Sequence, residues 1–414
     1  MIQYINFSKI KGKIVVPPSK SLMQRVVAAS LLAKGNSIIE NAGNSNDCKV
    51  SLQIIETLGA KIQQVNDTIN IFSEGIKPKN YVLNCGESGL SVRMFTAIAA
   101  TSVIPLTLTG FGSLNSRPMY FFEKILPSFG VNITTNSGYI PITVCGAMQG
   151  AEVTIDASIS SQFLTGLLMA LPLAQSNSIL HLTSLNSKPY INLTLEVLQN
   201  FGIKIINNNF STFFIEGNQT YKPTKSFIEG DWSSAAFWVV AAAVAGEIEL
   251  LSLNQNSKQA DMEILKVAAE VGADISWNGG LLSVKKNKLK PFHFNATDCP
   301  DLFPPLVALA VCCEGISLIK GVNRLKFKES NRGLALIEEF RKLGANISIL
   351  DDTMMIEGGK DLYNAICESH NDHRIAMALA IASLTNKGTM QLHNSEVVVK
   401  SYPEFFTHFQ DVCY

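Results

Sequence analysis

Hydroxyl, amide and cationic side chains gather in this chain where apolar helical patterns begin. Lys20, Ser21 and Arg25 open the first such pattern, with Ser21 and Arg25 four apart and therefore on one face. Free backbone N–H groups and the positive end of the helix dipole favour phosphate or carboxylate there, and hydroxyl and guanidinium donors would complete the shell. The plainer alternative is that Ser19 or Ser21 caps the helix and Lys20 is solvated. Ser160, Ser161 and Gln162 open another pattern, and Ser187 a third with Pro189 near its start, and each of these serines also reads as a cap. Arg117, Lys328 with Arg332, Arg374, and Lys400 stand at further openings. A cation at a helix N-terminus opposes the dipole by roughly 0.3 to 1 kcal/mol. Repeating that cost at equivalent places points to a shared anionic ligand.

Carboxylates stand among these cations. Asp301 begins a buried helix and reads either as its N-cap or as an acid–base group, and Glu329 lies between Lys328 and Arg332. One such carboxylate can take a proton and another deliver one when their surroundings push their pKa values apart. His373 reads as a group that orients Arg374 or as an acid. His370 and His373 flank Asp372, but no further His or Cys is near in sequence, so no metal site is expected.

The elements that must position these groups come from a repeat. The pentapeptide Leu58 to Ile62 returns in degenerate form, its glycines being Gly59, Gly130, Gly202, Gly272 and Gly344, at steps of 71, 72, 70 and 72 residues. Apolar residues at helical spacing precede each glycine and a β-branched run follows, so each glycine reads as a left-handed cap between helix and strand. Six further helices, apolar almost all round, begin near Lys20, Ser88, Ser160, Ser233, Asp301 and Asp372 and must be buried. Their apolar runs stop well short of the roughly 20 residues a membrane span needs. Each unit reads strand, buried helix, strand, amphipathic helix, strands, and six such units fill the chain. The sixth lacks its closing strands, and Tyr4 to Val16 is expected to supply them, which puts both ends in one domain. Three units per domain are expected, with the turn-rich segment Gly217 to Lys225 as the crossing and a division into 20–228 and 1–19 plus 229–414.

Composition narrows the function. Net charge is zero with 16% charged residues, which gives no electrostatic case for nucleic acid or a membrane surface. The eight cysteines lack ligand spacing and no signal peptide is evident, so free thiols in a reducing cytoplasm are expected.

Taken in order from Pro18 to Pro403, these motifs resemble the enolpyruvyl transferases of the EPSP synthase family, 3-phosphoshikimate 1-carboxyvinyltransferases, over the whole chain. The resemblance implies a two-domain inside-out α/β barrel of six βαβαββ repeats that closes on its ligands like a clamp. It implies transfer of the enolpyruvyl group of phosphoenolpyruvate to the 5-hydroxyl of shikimate 3-phosphate, by a monomer needing no metal or organic cofactor. By motif, Ser21, Arg25, Ser160, Ser161, Gln162, Ser187, Asp301 and Lys328 would hold shikimate 3-phosphate, and Lys20 would touch both substrates. Gly89, Arg117, Gln162, Arg332, Arg374 and Lys400 would surround phosphoenolpyruvate. Asp301 would accept the proton of the attacking hydroxyl, Glu329 would donate to the methylene carbon, and Lys20 would complete the catalytic set. Glyphosate would compete with phosphoenolpyruvate beside Gly89.

The chain departs from the family's pattern at Glu87, where an amide is usual, at Asn331, where the family has Asp, and at Arg324. A sister enzyme acting on UDP-N-acetylglucosamine has a reactive cysteine in the loop that here runs from Phe111 to Arg117 without one. An RNA-end-processing enzyme on related repeats lacks support in the charge, and Lys20, Asp301 and Glu329 argue against an inactive phosphosugar-binding module.

Overall fold

The five repeat glycines have φ of +112°, +73°, +80°, +104° and +92° in the computed structural model, a region that favours glycine. A strand follows each: Lys61–Val65, Asn132–Asn136, Ile205–Asn208, Asp274–Asn278 and Asn346–Leu350. The structure describes residues 1–6 and 9–414, and they form two compact units, Ser19–Ile228 and Met1–Pro18 with Glu229–Tyr414.

Within Ser19–Ile228, helices α1 (Lys20–Leu32), α3 (Gly89–Ala99) and α5 (Ser161–Ala170) alternate in sequence with α2 (Asn46–Thr57), α4 (Tyr120–Ile125) and α6 (Lys188–Asn200). Every residue of α3 is buried: Leu, Val, Met, Phe, Ala and Ile make up most of it, and its polar Ser91, Arg93 and Thr96 are each hydrogen-bonded. Three four-stranded sheets cover the helices. Each sheet has a leading strand parallel to the second and an antiparallel hairpin beyond, as in Val82–Asn84, Leu106–Thr109, Tyr139–Cys145 and Asn132–Asn136. Ile140, Ile142 and Val144 alternate inward along one strand while Tyr139 stays exposed, so the sheet keeps one face in water.

The other unit repeats the plan with α7 (Trp232–Ala245), α8 (Ile264–Val271), α9 (Phe303–Ala310), α10 (Arg332–Lys342), α11 (His373–Ser383) and α12 (Phe405–Val412). Only Ser233 of α7 and no residue of α11 escapes burial. Each large apolar side chain so buried contributes roughly 1.5–3 kcal/mol. Helices inside and sheets outside give the inside-out α/β arrangement. Among the described residues, no helix is long and apolar enough to cross a membrane.

The N-terminal strands depart from expectation. Ile2–Ile5 pairs with Met390–His393 in the sixth repeat, as expected, but Ile10–Val15 runs parallel to Gly246–Leu251 and leads the fourth repeat's sheet. Phe7 and Ser8 of the expected stretch lie outside the described residues. Ile10 and Ile14 turn inward from this strand, and Gly246 permits the approach, since a Cβ there would overlap the Ile10 carbonyl. The segment Gly217 to Lys225 belongs to Ser19–Ile228, where buried Tyr221 donates its hydroxyl to Met169 O at 2.6 Å. Lys225–Phe227 then leads that unit's first sheet, beside Gly35–Glu40.

Candidate active site

Asp301 sits in a 3-10 turn, Pro300–Leu302, ahead of α9 and makes no cap. The N–H-lacking Pro304 and Pro305 are tolerated in the first turn of α9, where amides have no intrahelical partner. The Asp301 carboxylate receives Arg332 Nη1 at 2.8 Å and Lys328 Nζ at 3.1 Å on Oδ1, with Arg374 Nη2 at 3.4 Å from Oδ2. Arg332, the first residue of α10, is wholly buried and also meets Glu329 Oε2 at 2.7 Å. Its Nε and Nη2 fork onto Asp372 at 2.9 and 3.1 Å. Asp372 in turn caps α11, accepting from Arg374 N at 3.0 Å, so one buried carboxylate fixes both arginines. Three cations and three carboxylates therefore interlock, with each of Asp301, Glu329 and Asp372 on Arg332.

Electrostatics separate two carboxyl groups here. Burial opposes the charge on Asp301, but Arg374, Lys328 and Arg332 outweigh it and hold the group well below the usual carboxylate range. Burial lowers the Lys328 ammonium pKa, against the pull of Asp301. Asp261, 1% exposed, accepts a hydrogen bond from Ser233 Oγ at the start of α7. Burial and the Asp301 charge push its carboxyl up to about 6, with Arg374 opposing. Lys400 is buried at the end of the 3-10 turn Ser395–Lys400, and wholly buried His373 has Nδ1 4.0 Å from Asp372 Oδ1.

In Ser19–Ile228 the expected residues cluster at the starts of α1, α3, α5 and α6. Ser19 caps Leu22 N at 3.4 Å, which leaves Ser21 and Lys20 on the first turn, and Lys20 Nζ lies 3.0 Å from Asp47 Oδ2. Gln24 ties this turn to its neighbours by donating to Ser88 Oγ at 2.8 Å, Ser91 Oγ at 2.9 Å and Asp47 O at 3.2 Å. Arg25 is 1% exposed. It donates to Ser21 O at 2.7 Å and Thr194 Oγ1 at 2.9 Å, and to Thr165 Oγ1 and Tyr190 O at 3.4 Å. Burial brings its pKa down to about 10. Ser160 caps α5 through Gln162 N at 3.3 Å, Ser161 is buried behind it, and Ser187 enters α6 in a left-handed conformation, φ +59°. Gln162 Oε1 accepts from Arg93 Nη1 at 2.7 Å, and the Arg93 guanidinium lies 4.9 Å over the Phe163 ring. A Cβ added at Gly89 would lie 2.5 Å from Arg117 Nη1, 3.5 Å from Arg93 Nη1 and 3.6 Å from Gln162 Oε1, so these groups share one spot.

The described residues hold one candidate metal cluster, Glu338, Glu339 and His370, whose ligand atoms lie within 4.8 Å of one another. Lys342 Nζ already lies 2.7 Å from Glu339 Oε1 and 3.4 Å from Glu338 Oε1, and His370 Nε2 is 2.6 Å from Glu339 Oε1. An ammonium fills the charge requirement a metal would.

The family model for EPSP synthase (3-phosphoshikimate 1-carboxyvinyltransferase) matches residues 6–409. The chain belongs to the EPSP synthase family. A 3-phosphoshikimate 1-carboxyvinyltransferase of Clostridium perfringens is 37% identical over 409 residues, covering 98% of this chain and 96% of the relative. One from Clostridium novyi is 35% identical over 416 residues, with 98% and 96% covered. The solved EPSP synthase of Acinetobacter baumannii superposes with a TM-score of 0.84 at 25% identity, covering all of this chain and 98% of that one.

Against the EPSP synthase pattern, Glu87 turns to the loop after Gly110, where its Oε1 accepts from Ser113 N at 3.1 Å. Asn331 occupies the N-cap position of α10 without a side-chain cap, and neighbouring Ser330 donates to Asp372 Oδ2 at 3.2 Å. Burial lowers the Arg324 pKa, with Asp298 and Asp301 opposing. Asp47, Arg93, Asp261 and the pairing role of Asp372 are not among the site residues expected from the sequence. A signal existed for Arg93, which stands 68 residues after Arg25, nearly one repeat on, and four after Gly89 as Arg25 stands four after Ser21.

Proposed function

We propose that this chain transfers the enolpyruvyl group of phosphoenolpyruvate to the 5-hydroxyl of shikimate 3-phosphate, releasing phosphate. The observation that carries this reading is Asp301, which leaves its helix uncapped to sit among Lys328, Arg332 and Arg374 beside Glu329, in a chain of this family. Ser21, Arg25, Ser160, Ser161, Gln162, Ser187, Asp301 and Lys328 would hold shikimate 3-phosphate, with Lys20 touching both substrates. Gly89, Arg117, Gln162, Arg332, Arg374 and Lys400 would receive phosphoenolpyruvate.

The hydroxyl oxygen bonds to C2 of phosphoenolpyruvate as its proton passes to Asp301, while C3 takes a proton from Glu329. The C2–O bond to phosphate then breaks, the leaving phosphate taking the proton held by Asp301, and C3 returns its proton to Glu329 as the double bond is restored. A carboxylate held far below its usual pKa is a weak base, so Asp301 needs relief from its cations. The incoming phosphate and carboxylate groups supply it by competing for Lys328 and Arg374. Arg332, forked onto Asp372, keeps its place throughout. Cations fixed in advance around developing negative charge need no reorganisation as the bond forms.

The deciding experiment mixes the protein with phosphoenolpyruvate and either shikimate 3-phosphate or UDP-N-acetylglucosamine. Phosphate release with the first acceptor alone is expected, and release only with the second would overturn the reading. The same reading makes the enzyme a cytoplasmic monomer with no membrane or nucleic-acid partner and no cofactor. Sedimentation, and activity that survives a chelator, check the oligomeric state and the absence of a metal.

A further inference from the structure

Glu87 places a negative charge in the segment that leads into Gly89, where a ligand anion should be repelled. The contacts around it give the carboxylate a different task. Phe111 N donates to Gly86 O at 2.9 Å, and Ser113 N donates to Glu87 Oε1 at 3.1 Å, so the two segments are joined at successive positions. Gly112 lies between those contacts at φ +58°, and a Cβ on it would overlap the Glu87 carboxylate. Ser113 uses its hydroxyl in the other direction, accepting from Arg117 Nη2 at 3.2 Å. Arg117, 5% exposed, then brings Nη1 within 2.5 Å of where a Gly89 Cβ would stand. The contacts make a closed circuit from residue 86 through 87, 113 and 117 to residue 89.

We propose that Glu87 is the positioning residue for Arg117: by holding the Ser113 amide it fixes the hydroxyl that orients the Arg117 guanidinium, and so sets the affinity for phosphoenolpyruvate. This rests on the proposed function, in which Arg117 meets that substrate. A carboxylate accepting from a backbone amide makes a stronger bond than a neutral acceptor, and a guanidinium held in one orientation loses less freedom when it binds. The negative charge is tolerated because the carboxylate is turned onto the loop.

Steady-state kinetics on the full chain test it. Glu87→Ala should raise KM for phosphoenolpyruvate about ten-fold, the effect of one charge-assisted hydrogen bond, and leave KM for shikimate 3-phosphate within about two-fold. Glu87→Gln keeps an oxygen acceptor and should recover most of that loss. Ser113→Ala should raise the same KM, and combining it with Glu87→Ala should add less than the sum, because both act on one guanidinium. An unchanged KM for phosphoenolpyruvate in Glu87→Ala, a Gln variant as impaired as Ala, or full additivity would each overturn the proposal. Hydrogen exchange at the Ser113 amide gives a readout independent of turnover. Faster exchange in Glu87→Ala supports the clamp even if the wild type releases no phosphate, an outcome that would strike at the proposed function instead. Unchanged exchange would remove the clamp whatever the kinetics.

Discussion

The two units hold their cations in opposite ways. In Glu229–Tyr414, Lys328, Arg332 and Arg374 are met by the carboxylates of Asp301, Glu329 and Asp372. In Ser19–Ile228, Arg25 is held by hydroxyls and carbonyls, Arg93 by an amide oxygen and a ring face, and Arg117 by a serine hydroxyl. Carboxylates meet cations there too, Lys20 with Asp47 near these helix starts and Lys77 with Glu74 and Lys225 with Glu40 at the surface. Neutral acceptors satisfy a guanidinium's hydrogen bonds and leave its charge in place, whereas carboxylates cancel the charge and become coupled to it. The first arrangement suits holding an anion, and the second suits moving protons.

The sharpest break in that contrast is chemical. Asp301→Asn and Glu329→Gln should each fold and still bind shikimate 3-phosphate in calorimetry, yet lose turnover by roughly 10² to 10⁴-fold. Near-normal turnover in either would dissolve the assignment of proton chemistry to this unit. Next in size is stability. Asp372→Asn strips a buried arginine of its forked partner and should cost about 3–5 kcal/mol. Trp232, Trp238 and Trp277, all the tryptophans of the chain, lie in this unit, so their fluorescence in urea reports its unfolding. Asp47→Ala, with Lys20 16% exposed and able to turn to water, should cost only about 1 kcal/mol by circular dichroism. Equal costs would erase the distinction between the units.

A third effect is set by pH. Asp261 has its carboxyl pushed from 3.8 up to about 6, so the folded state prefers the proton. The stabilisation is present in full below the unfolded pKa and is lost as pH rises through 6. The stability of wild type relative to Asp261→Asn should therefore fall by roughly 2 kcal/mol between pH 4 and 7, and a flat difference would mean the carboxyl is not so perturbed. A fourth effect concerns Gly89→Ala. Its methyl would meet Arg117 Nη1 at 2.5 Å, so the guanidinium must shift, at the usual overpacking cost of about 1–3 kcal/mol. Glyphosate, longer than phosphoenolpyruvate, should lose more affinity, raising the ratio of its inhibition constant to the substrate KM. A constant ratio would take Gly89 out of the pocket.

What could be read beforehand was local. A glycine between helical and strand spacing reports its own φ, and an apolar helix reports its own burial, so the five caps and six core helices were legible. Polar residues at helix starts were legible for the same reason. Partners were not. Asp372 reaches Arg332 across 40 residues, Asp47 reaches Lys20 across 27, and Asp261 reaches Ser233 across 28, and no periodicity within one element reports which neighbours stack. Arg25 looked like a side chain offered to a ligand because Ser21 shares its face. Thr165 and Thr194, which hold it, are more than 100 residues away. Ile10–Val15 alternates as an edge strand should, and alternation cannot say which sheet it joins.

The pairing of Ile10–Val15 with Gly246–Leu251 bears on how the chain is made. About 230 residues separate the two strands, and at roughly 5–20 residues per second the early one waits some 12 to 46 s on the ribosome for its partner. Ser19–Ile228 is complete sooner, and although its Gly35–Glu40 also waits for the late strand Lys225–Phe227, its other edge already has Thr68–Ser73 as a partner. Synthesis thus completes one unit while leaving an unpaired strand ahead of it. Lys9, Lys11 and Lys13 in and beside that strand are the residue type that discourages strange edges from pairing during the wait.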